Sequence, residues 1–397
     1  MKGRSPAQFK GSSSEENGAD FLEFDDLEDA LQTEADYSYE ITEPFDPRQI
    51  DISSEVQNVR YLLDLLEDET VDLNSEFQRS RDLWSASKMS KFIESLIVRL
   101  PIPPFYLAAP ERIPATSTDK LQVIDGLQRL STLDRFIVRD ESFRLTVLEV
   151  LPKEFNGKTF NQLPRPIQRA IERAQVSVYL IRPSTPKPVK FIIFNRLNTG
   201  GLALNAQEIR HALNQGVPAE LLNQLVNLKS FSRLVRIRNA RMRNHELALR
   251  FLAFRMVPPQ NYKRGFRKFL DDAMEELSHL SANERSMLKH DFDGALILAF
   301  QLFGARAFSR KPGTRVNLNK ALFETWTVNL SILSPDEQIA LLNRQGTLNA
   351  NYQSLLRDDS NFDKAISEDT SSPDAVKERF AGIRKLIQET LSANLLF

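Results

Sequence analysis

The chain has 397 residues, 41% of them hydrophobic, with 52 Lys and Arg against 53 Asp and Glu, a formal net charge of −1. That length accommodates about two domains of ~150 residues each, and the apolar fraction suffices for a core. Cysteine is absent, which excludes disulfides, cysteine-ligated zinc, iron–sulfur clusters and a thiol nucleophile.

No apolar run approaches the ~20 residues that span a bilayer. The basic start Met1-Lys2-Gly3-Arg4 is not followed by the apolar stretch of a secretory signal. The expectation is a cytoplasmic protein without membrane contact. The near-zero net charge conceals an asymmetry: residues 1–46 hold thirteen acids and three bases, and the remainder 40 acids and 49 bases. A basic body with an acidic arm points to a polyanionic partner, with the arm competing for the same surface. The plainer alternative is a solubilising tail.

Residues 1–46 read as a disordered acidic tail, within which Phe21, Leu22, Phe24 and Leu27 form a candidate docking segment. From Ile52 the pattern tightens. Ser53 or Ser54 is expected to cap a helix carrying Val56, Val59, Leu62, Leu63 and Leu66. Val71–Leu73 is a strand candidate. Ser85 or Ser87 opens a second helix with Met89, Ile93, Leu96, Ile97 and Leu100 on one side, stopped by Pro101, Pro103 and Pro104. Phe105–Ala108 and Leu121–Ile124 read as buried strands. Gly126 makes a tight turn into a helix carrying Leu127, Leu130, Leu133 and Ile137. Phe143–Val150 and Val176–Ile181 are further strand candidates. Val189–Leu197 is helical, and Asn205 with Glu208 has the spacing of a capping box. After about Gly216 helical patterns dominate, with breaks at Pro258-Pro259, Pro312-Gly313 and Pro373. The organisation expected is a tail (1–46), a mixed α/β domain (47–215) and an all-α domain (216–397).

Two segments carry candidate chemistry. Val123-Ile124-Asp125-Gly126-Leu127-Gln128-Arg129 runs from strand through turn to helix. Such a turn frees backbone N–H groups at a helix start, Gly126 admits a ligand close to the backbone, and Arg129 offers a bidentate donor pair to phosphate. Asp125 is a candidate magnesium ligand or base. The competing view makes Asp125 a cap, Gly126 a turn and Arg129 a surface charge. The second segment is Phe194-Asn195-Arg196-Leu197-Asn198-Thr199-Gly200-Gly201 with Asn205, Glu208 and Arg210, a donor-rich loop of the kind anions need. It also reads simply as a helix end followed by a well-capped helix.

A third feature is electrostatic. Residues 229–268 hold twelve basic residues and one acid, Glu246. Arg233, Arg236, Arg238, Arg241, Arg243, Lys263, Arg264 and Arg267 are the candidate DNA contacts, with Arg233, Arg236 and Arg243 sharing one broad face if the stretch is a helix. The alternative is an Arg-rich helix paired with Asp271, Asp272, Glu275 and Glu276. The four histidines, His211, His245, His279 and His290, show no metal-ligand spacing. Gly157-Lys158 lacks the remainder of a Walker A pattern.

Several phrases in order resemble the ParB-like N-terminal domain of GmrSD-type restriction proteins. Phe77-Gln78-Arg79, Trp84 and Leu100-Pro101-Ile102-Pro103-Pro104 match one part of that pattern. Asp125-Gly126-Leu127-Gln128-Arg129 matches the family's Asp-Gly-Gln-Gln-Arg, with Leu127 replacing the first Gln. Phe194, Asn198, Gly200-Gly201, Leu204, Glu208 and Arg210 match a third phrase, and Asn319-Lys320-Ala321-Leu322-Phe323 is a weaker echo. The resemblance covers roughly residues 50–215. It implies a ParB/sulfiredoxin-like α/β fold and a restriction or anti-phage role. It also implies nucleotide binding or hydrolysis at Asp125, Gly126, Gln128 and Arg129, with Arg79, Asn195, Arg196, Asn198 and Arg210 as further candidates. The scattered histidines do not provide the nuclease unit of longer relatives.

The leading expectation is therefore a nucleoside triphosphate with magnesium bound between the two segments. DNA is held by the helical domain, and a separate nuclease or defence protein is the partner; oligomerisation is open. In this view Arg129→Ala abolishes nucleotide binding and spares the fold. The second reading is a metal-dependent nuclease using Asp125 with Glu208 or Glu94. The third is a non-enzymatic DNA-binding regulator or adaptor.

Overall fold

Short apolar runs form the central strands of the sheet, and strong caps delimit several of the helices around it. The computed structural model describes residues 23–24, 46–73, 84–109, 120–139, 142–197, 205–235, 237, 241–263, 265–310 and 317–392. Among these, the strands are β1 (Glu23–Phe24), β2 (Ile52–Asn58), β3 (Val71–Asp72), β4 (Phe105–Ala108), β5 (Leu121–Asp125), β6 (Gln175–Ile181) and β7 (Asn317–Leu318). Five form one mixed sheet in the order β2-β6-β4-β5-β3. β6 runs antiparallel to β2 and parallel to β4, and β5 runs antiparallel to β4 and parallel to β3.

Each face of this sheet has its own cover. Phe105, Leu107, Val123, Val176 and Val178 point into a cluster shared with α1 (Val59–Glu67) and α2 (Ala86–Ile97). Ala108, Ile124 and Ile181 point the other way and meet Phe191, Ile209 and Ala212. Those three come from α6 (Lys187–Leu197) and α7 (Ala206–Leu213), following α3 (Leu127–Leu133), α4 (Pro152–Phe155) and α5 (Arg165–Glu172). From α8 (Val217–Val226) onward the described chain is helical except for β7. The architecture is thus an α/β unit followed by a helical one. The helical unit is built around Lys320–Ser331, in which Leu322, Phe323, Glu324 and Trp326 are fully buried. Outside the main sheet, β1 pairs in parallel with β7, Glu23 opposite Asn317 and Phe24 opposite Leu318. This places two residues of the acidic arm's candidate docking segment on the helical unit.

Three expectations need correction. Residues 52–58 are a strand, not the first turns of a helix: the whole segment pairs with β6, and Asn58 rather than Ser53 or Ser54 caps α1 by accepting from the Tyr61 N–H at 2.9 Å. Phe143–Val150 is not a strand. Val147 sits at φ 53°, which breaks an extended run, and the backbone finds other partners. Leu145 exchanges hydrogen bonds with Lys158 O and Gly157 N, and the Glu94 carboxylate accepts from the N–H groups of Glu149, Val150 and Leu151 at 2.8–2.9 Å. Finally, the basic stretch is not one helix. It divides into α9 (Lys229–Leu234) and α10 (Arg243–Met256), with Arg241 and Met242 at φ 37° and 60° between them, so Arg233 and Arg243 share no helical face.

Glu94 is 4% exposed, and although burial alone would raise its pKa, the three backbone donors hold it below the ordinary carboxylate value. Glu94→Ala is expected to strand those donors and to cost about 2–4 kcal/mol, measured as a lower denaturant midpoint with an unchanged slope.

Candidate functional site

Gly126 closes β5 and starts α3 in a left-handed conformation, φ 104°, which L side chains adopt only at a cost. The space there is equally restrictive: a Cβ on Gly126 would lie 2.6 Å from Phe105 Cδ1 and 3.3 Å from Arg129 Nη2. The glycine lets β5 turn over the Phe105 ring and lets Arg129 fold back beneath the turn. Asp125 makes no cap; Gly126 itself occupies the cap position, with no side-chain cap bond.

Arg129 is 7% exposed, not a surface charge. Its Nη2 donates to Asp125 Oδ2 at 2.6 Å and to Pro104 O at 3.0 Å, its Nη1 donates to Pro103 O, and its guanidinium lies 4.6 Å from the Phe105 ring centroid. Burial pulls its pKa below the ordinary arginine value, opposed by Asp125. The guanidinium thus serves the chain's own groups, and Arg129→Ala would not spare the fold, because it removes one partner of a buried network. Gln128 is also built in: its Oε1 accepts from the Trp84 N–H at 3.0 Å, fixing the approach to α2. Leu127 packs on the larger sheet cluster.

The second segment is divided. Arg196 is exposed at the end of α6. Asn195 lies in the same helix, but its side chain is outside the described set, as are Arg79, Asn198, Arg236, Arg238 and Arg264. The capping box forms in full, with Glu208 N–H to Asn205 Oδ1 at 2.9 Å and Asn205 N–H to Glu208 Oε2 at 2.8 Å. Glu208 also accepts from Arg241 Nη2 at 2.8 Å, and buried Arg210 donates to Asp271 Oδ1 at 2.6 Å. Both pairs join α7 to the helical unit. A third connection is Arg267, whose guanidinium lies 3.9 Å from the Phe191 ring centroid of α6. Arg241, Arg210 and Arg267 are therefore seam residues. Of the remaining basic candidates, Arg233 and Lys263 are exposed and Arg243 is half-buried, and Arg233 also lies 3.5 Å from the Phe300 ring centroid.

The helix that begins the second segment packs on the strand that begins the first. α6 packs over β5, and Ile193 and Leu197, beside Arg196, pack on the cluster that holds Ile124 and Tyr106. Tyr106 and Tyr179, which the motifs did not single out, stand at the uncovered end of this face. Period-two alternation was the available signal, since it puts both on the side of Ala108 and Ile181. The carboxylates considered for a metal-dependent nuclease have separate duties: Asp125 with Arg129, Glu94 with three amides, Glu208 with a cap and Arg241. Among the described residues no three His, Asp or Glu side chains gather as a ligand set, and no helix is long and apolar enough to cross a membrane.

A family model described as "GmrSD restriction endonuclease, N-terminal domain" matches residues 62–214. The chain carries a GmrSD-type N-terminal domain. The match starts inside α1 and ends at the C-cap of α7, so it contains the Gly126 turn, α6 and the capping box. No curated protein and no solved structure matches the chain. The family points this GmrSD-type domain towards restriction, and the sheet-and-helix architecture agrees with the expected α/β fold.

Two predictions follow from the geometry. Gly126→Ala combines a positive φ with a clash against Phe105 and is expected to cost roughly 2–4 kcal/mol, read as a fall in thermal midpoint. The second concerns the seam, where the His211 and His245 rings lie 5.4 Å apart. Burial lowers His211 to about 3, with His245 adding to the effect, and burial lowers His245 to about 4. Their unfolded values are higher, so the unfolded state binds more protons and stability falls as pH drops below about 6.5. Between pH 7.5 and 5.5 the loss is expected to be roughly 2–3 kcal/mol, and His211→Gln/His245→Gln should flatten the plot of unfolding free energy against pH.

Proposed function

We propose that the chain is a nucleotide-binding, DNA-engaging protein of a restriction or anti-phage defence system. The observation that carries this reading is the packing of α6, with Arg196 near its end, over β5, which ends at Asp125, within a GmrSD-type domain. The roles differ from a simple arginine clamp. Gly126 provides close backbone approach, and Arg196, exposed near the end of α6, is the phosphate-binding cation. Asp125 is the carboxylate for magnesium or water, and Arg129 positions Asp125 from beneath. The helical unit contacts DNA through outward bases such as Arg233 and Lys263, and a separate nuclease is the cutting partner.

The seam supplies a route between the two activities. α7 follows the candidate loop directly and is ion-paired to the helical unit at both Glu208 and Arg210. A change at the loop on nucleotide binding would reach the helical unit through these pairs, and DNA would act in return on nucleotide affinity.

The test is calorimetric titration of each nucleoside triphosphate with magnesium into the full chain, with phosphate release followed with and without duplex DNA. Arg196→Ala is expected to weaken triphosphate binding roughly 10- to 100-fold, the worth of a charged hydrogen bond, with an unchanged melting temperature. Absence of binding by any of the four nucleotides would remove the nucleotide half of the proposal.

A further inference from the structure

The half-open face of the sheet holds a feature that the motif residues do not account for. β4 and β6 are parallel neighbours with Tyr106 opposite Tyr179. Their rings stack at 4.8 Å between centroids and 11° between planes. Both are half-buried, on the side opposite fully buried Phe105 and nearly buried Val178. Burial, together with Tyr179 and Asp125, raises the pKa of Tyr106, so its hydroxyl stays protonated.

Among the described residues the cover over this face runs out at the tyrosines. On one side α6 and α7 close over Ala108, Ile124 and Ile181. On the other lies the edge strand β2, whose residue opposite Tyr179 is Ser54. Ser54 is exposed, and its same-face neighbours Ile52 and Val56 are 36% and 68% exposed. The Tyr106 ring occupies one face of Tyr179. The other face looks over a serine flanked by two exposed β-branched side chains. A flat ligand laid there meets a π surface on one side and aliphatic carbon around its rim. A hydroxyl in the floor can accept from or donate to its edge.

We propose that Tyr179, backed by Tyr106, is the stacking platform for the base of the bound nucleotide. This rests on the nucleotide reading above and names where its base goes. The reach is right: β2 lies three strand positions from β5, roughly 14 Å, a separation that an extended nucleoside triphosphate bridges from Ser54 to the Gly126 turn. Continuity with that turn selects a nucleotide over an unrelated aromatic ligand, since Asp125 is the cross-strand partner of Tyr106. Stacking tolerates any base, so discrimination among bases falls to the edge contact with Ser54.

The experiment titrates the full chain, as wild type, Tyr179→Ala and Tyr179→Phe, with each nucleoside triphosphate and with inorganic tripolyphosphate, all with magnesium. Tyr179→Ala is expected to weaken the nucleotide roughly 5- to 100-fold and to leave tripolyphosphate within about twofold, while Tyr179→Phe stays near wild type for both, since a phenyl ring stacks as well. Wild-type binding of nucleotides no tighter than tripolyphosphate would overturn the platform and leave the phosphate site standing. Equal loss of both ligands in Tyr179→Ala would also overturn it, by marking a purely structural tyrosine. Failure of the wild type to bind either would bring down the nucleotide reading and the platform with it.

Discussion

The α/β unit depends on one buried guanidinium. Arg129 reaches back one helical turn to Asp125 and across to the carbonyls of Pro103 and Pro104, over the ring of Phe105. Prolines contribute no N–H of their own, but their carbonyls still need donors once taken from water. Arginine suits this because its planar fork serves several acceptors in fixed directions. The result ties the end of β5, the start of α3 and the entry to β4 into one rigid corner. Gly126 is its complement, since any side chain there would occupy the space of Phe105 and Arg129. Trp84 joins the same corner through Gln128, so phrases distant in sequence are neighbours because they build one structure.

The seam between the units uses the same device on a larger scale. Arginine–carboxylate pairs, each with one buried member, hold α7 to the helical unit: Arg210 to Asp271, and Arg241 to Glu208. Behind them, Arg250 and Arg379 share Glu324 in the helical core. Burial alone would raise the Glu246 carboxyl, but Lys320, Arg250 and Arg210 bring it down to about 2. Such pairs add little net stability over apolar packing, but losing one partner is costly because the other charge stays buried. They therefore fix the register of the two units more than they strengthen it.

Much of this was legible in the sequence where the causes are local. Ser85 and the Asn205–Glu208 capping box announce their helices, Gly126 announces its turn, and the runs at 105–108 and 121–124 are strands because they are buried on both faces. What escaped has distant causes. Ile52, Val56 and Val59 have helical spacing, and only pairing with β6, more than a hundred residues on, decides for a strand over Ile52–Asn58. Phe143–Val150 alternates like a strand, but a carboxylate from α2 takes up its N–H groups. For the site, the motif did not reveal that Arg129 faces inward. An arginine's partners here are backbone carbonyls, and carbonyls carry no signature in sequence.

The same point changes the meaning of the basic stretch. Counted as charge, residues 229–268 look like a continuous phosphate footprint. In the structure Arg241 serves Glu208, Arg250 serves Glu246 and Glu324, Arg255 serves Asp291, Lys268 serves Asp272, and Arg267 lies over Phe191. Charges neutralised internally contribute little to long-range attraction beyond a Debye length of about 10 Å. The field that a polyanion meets therefore comes from the smaller outward set, including Arg233 and Lys263, and is weaker than the count suggests. The acidic arm matters more in consequence. Its residues Glu23 and Phe24 pair alongside β7 of the helical unit. Against a modest positive field, a tethered acidic segment of low intrinsic affinity would compete with a bound polyanion, because tethering raises a local concentration to ~1 mM.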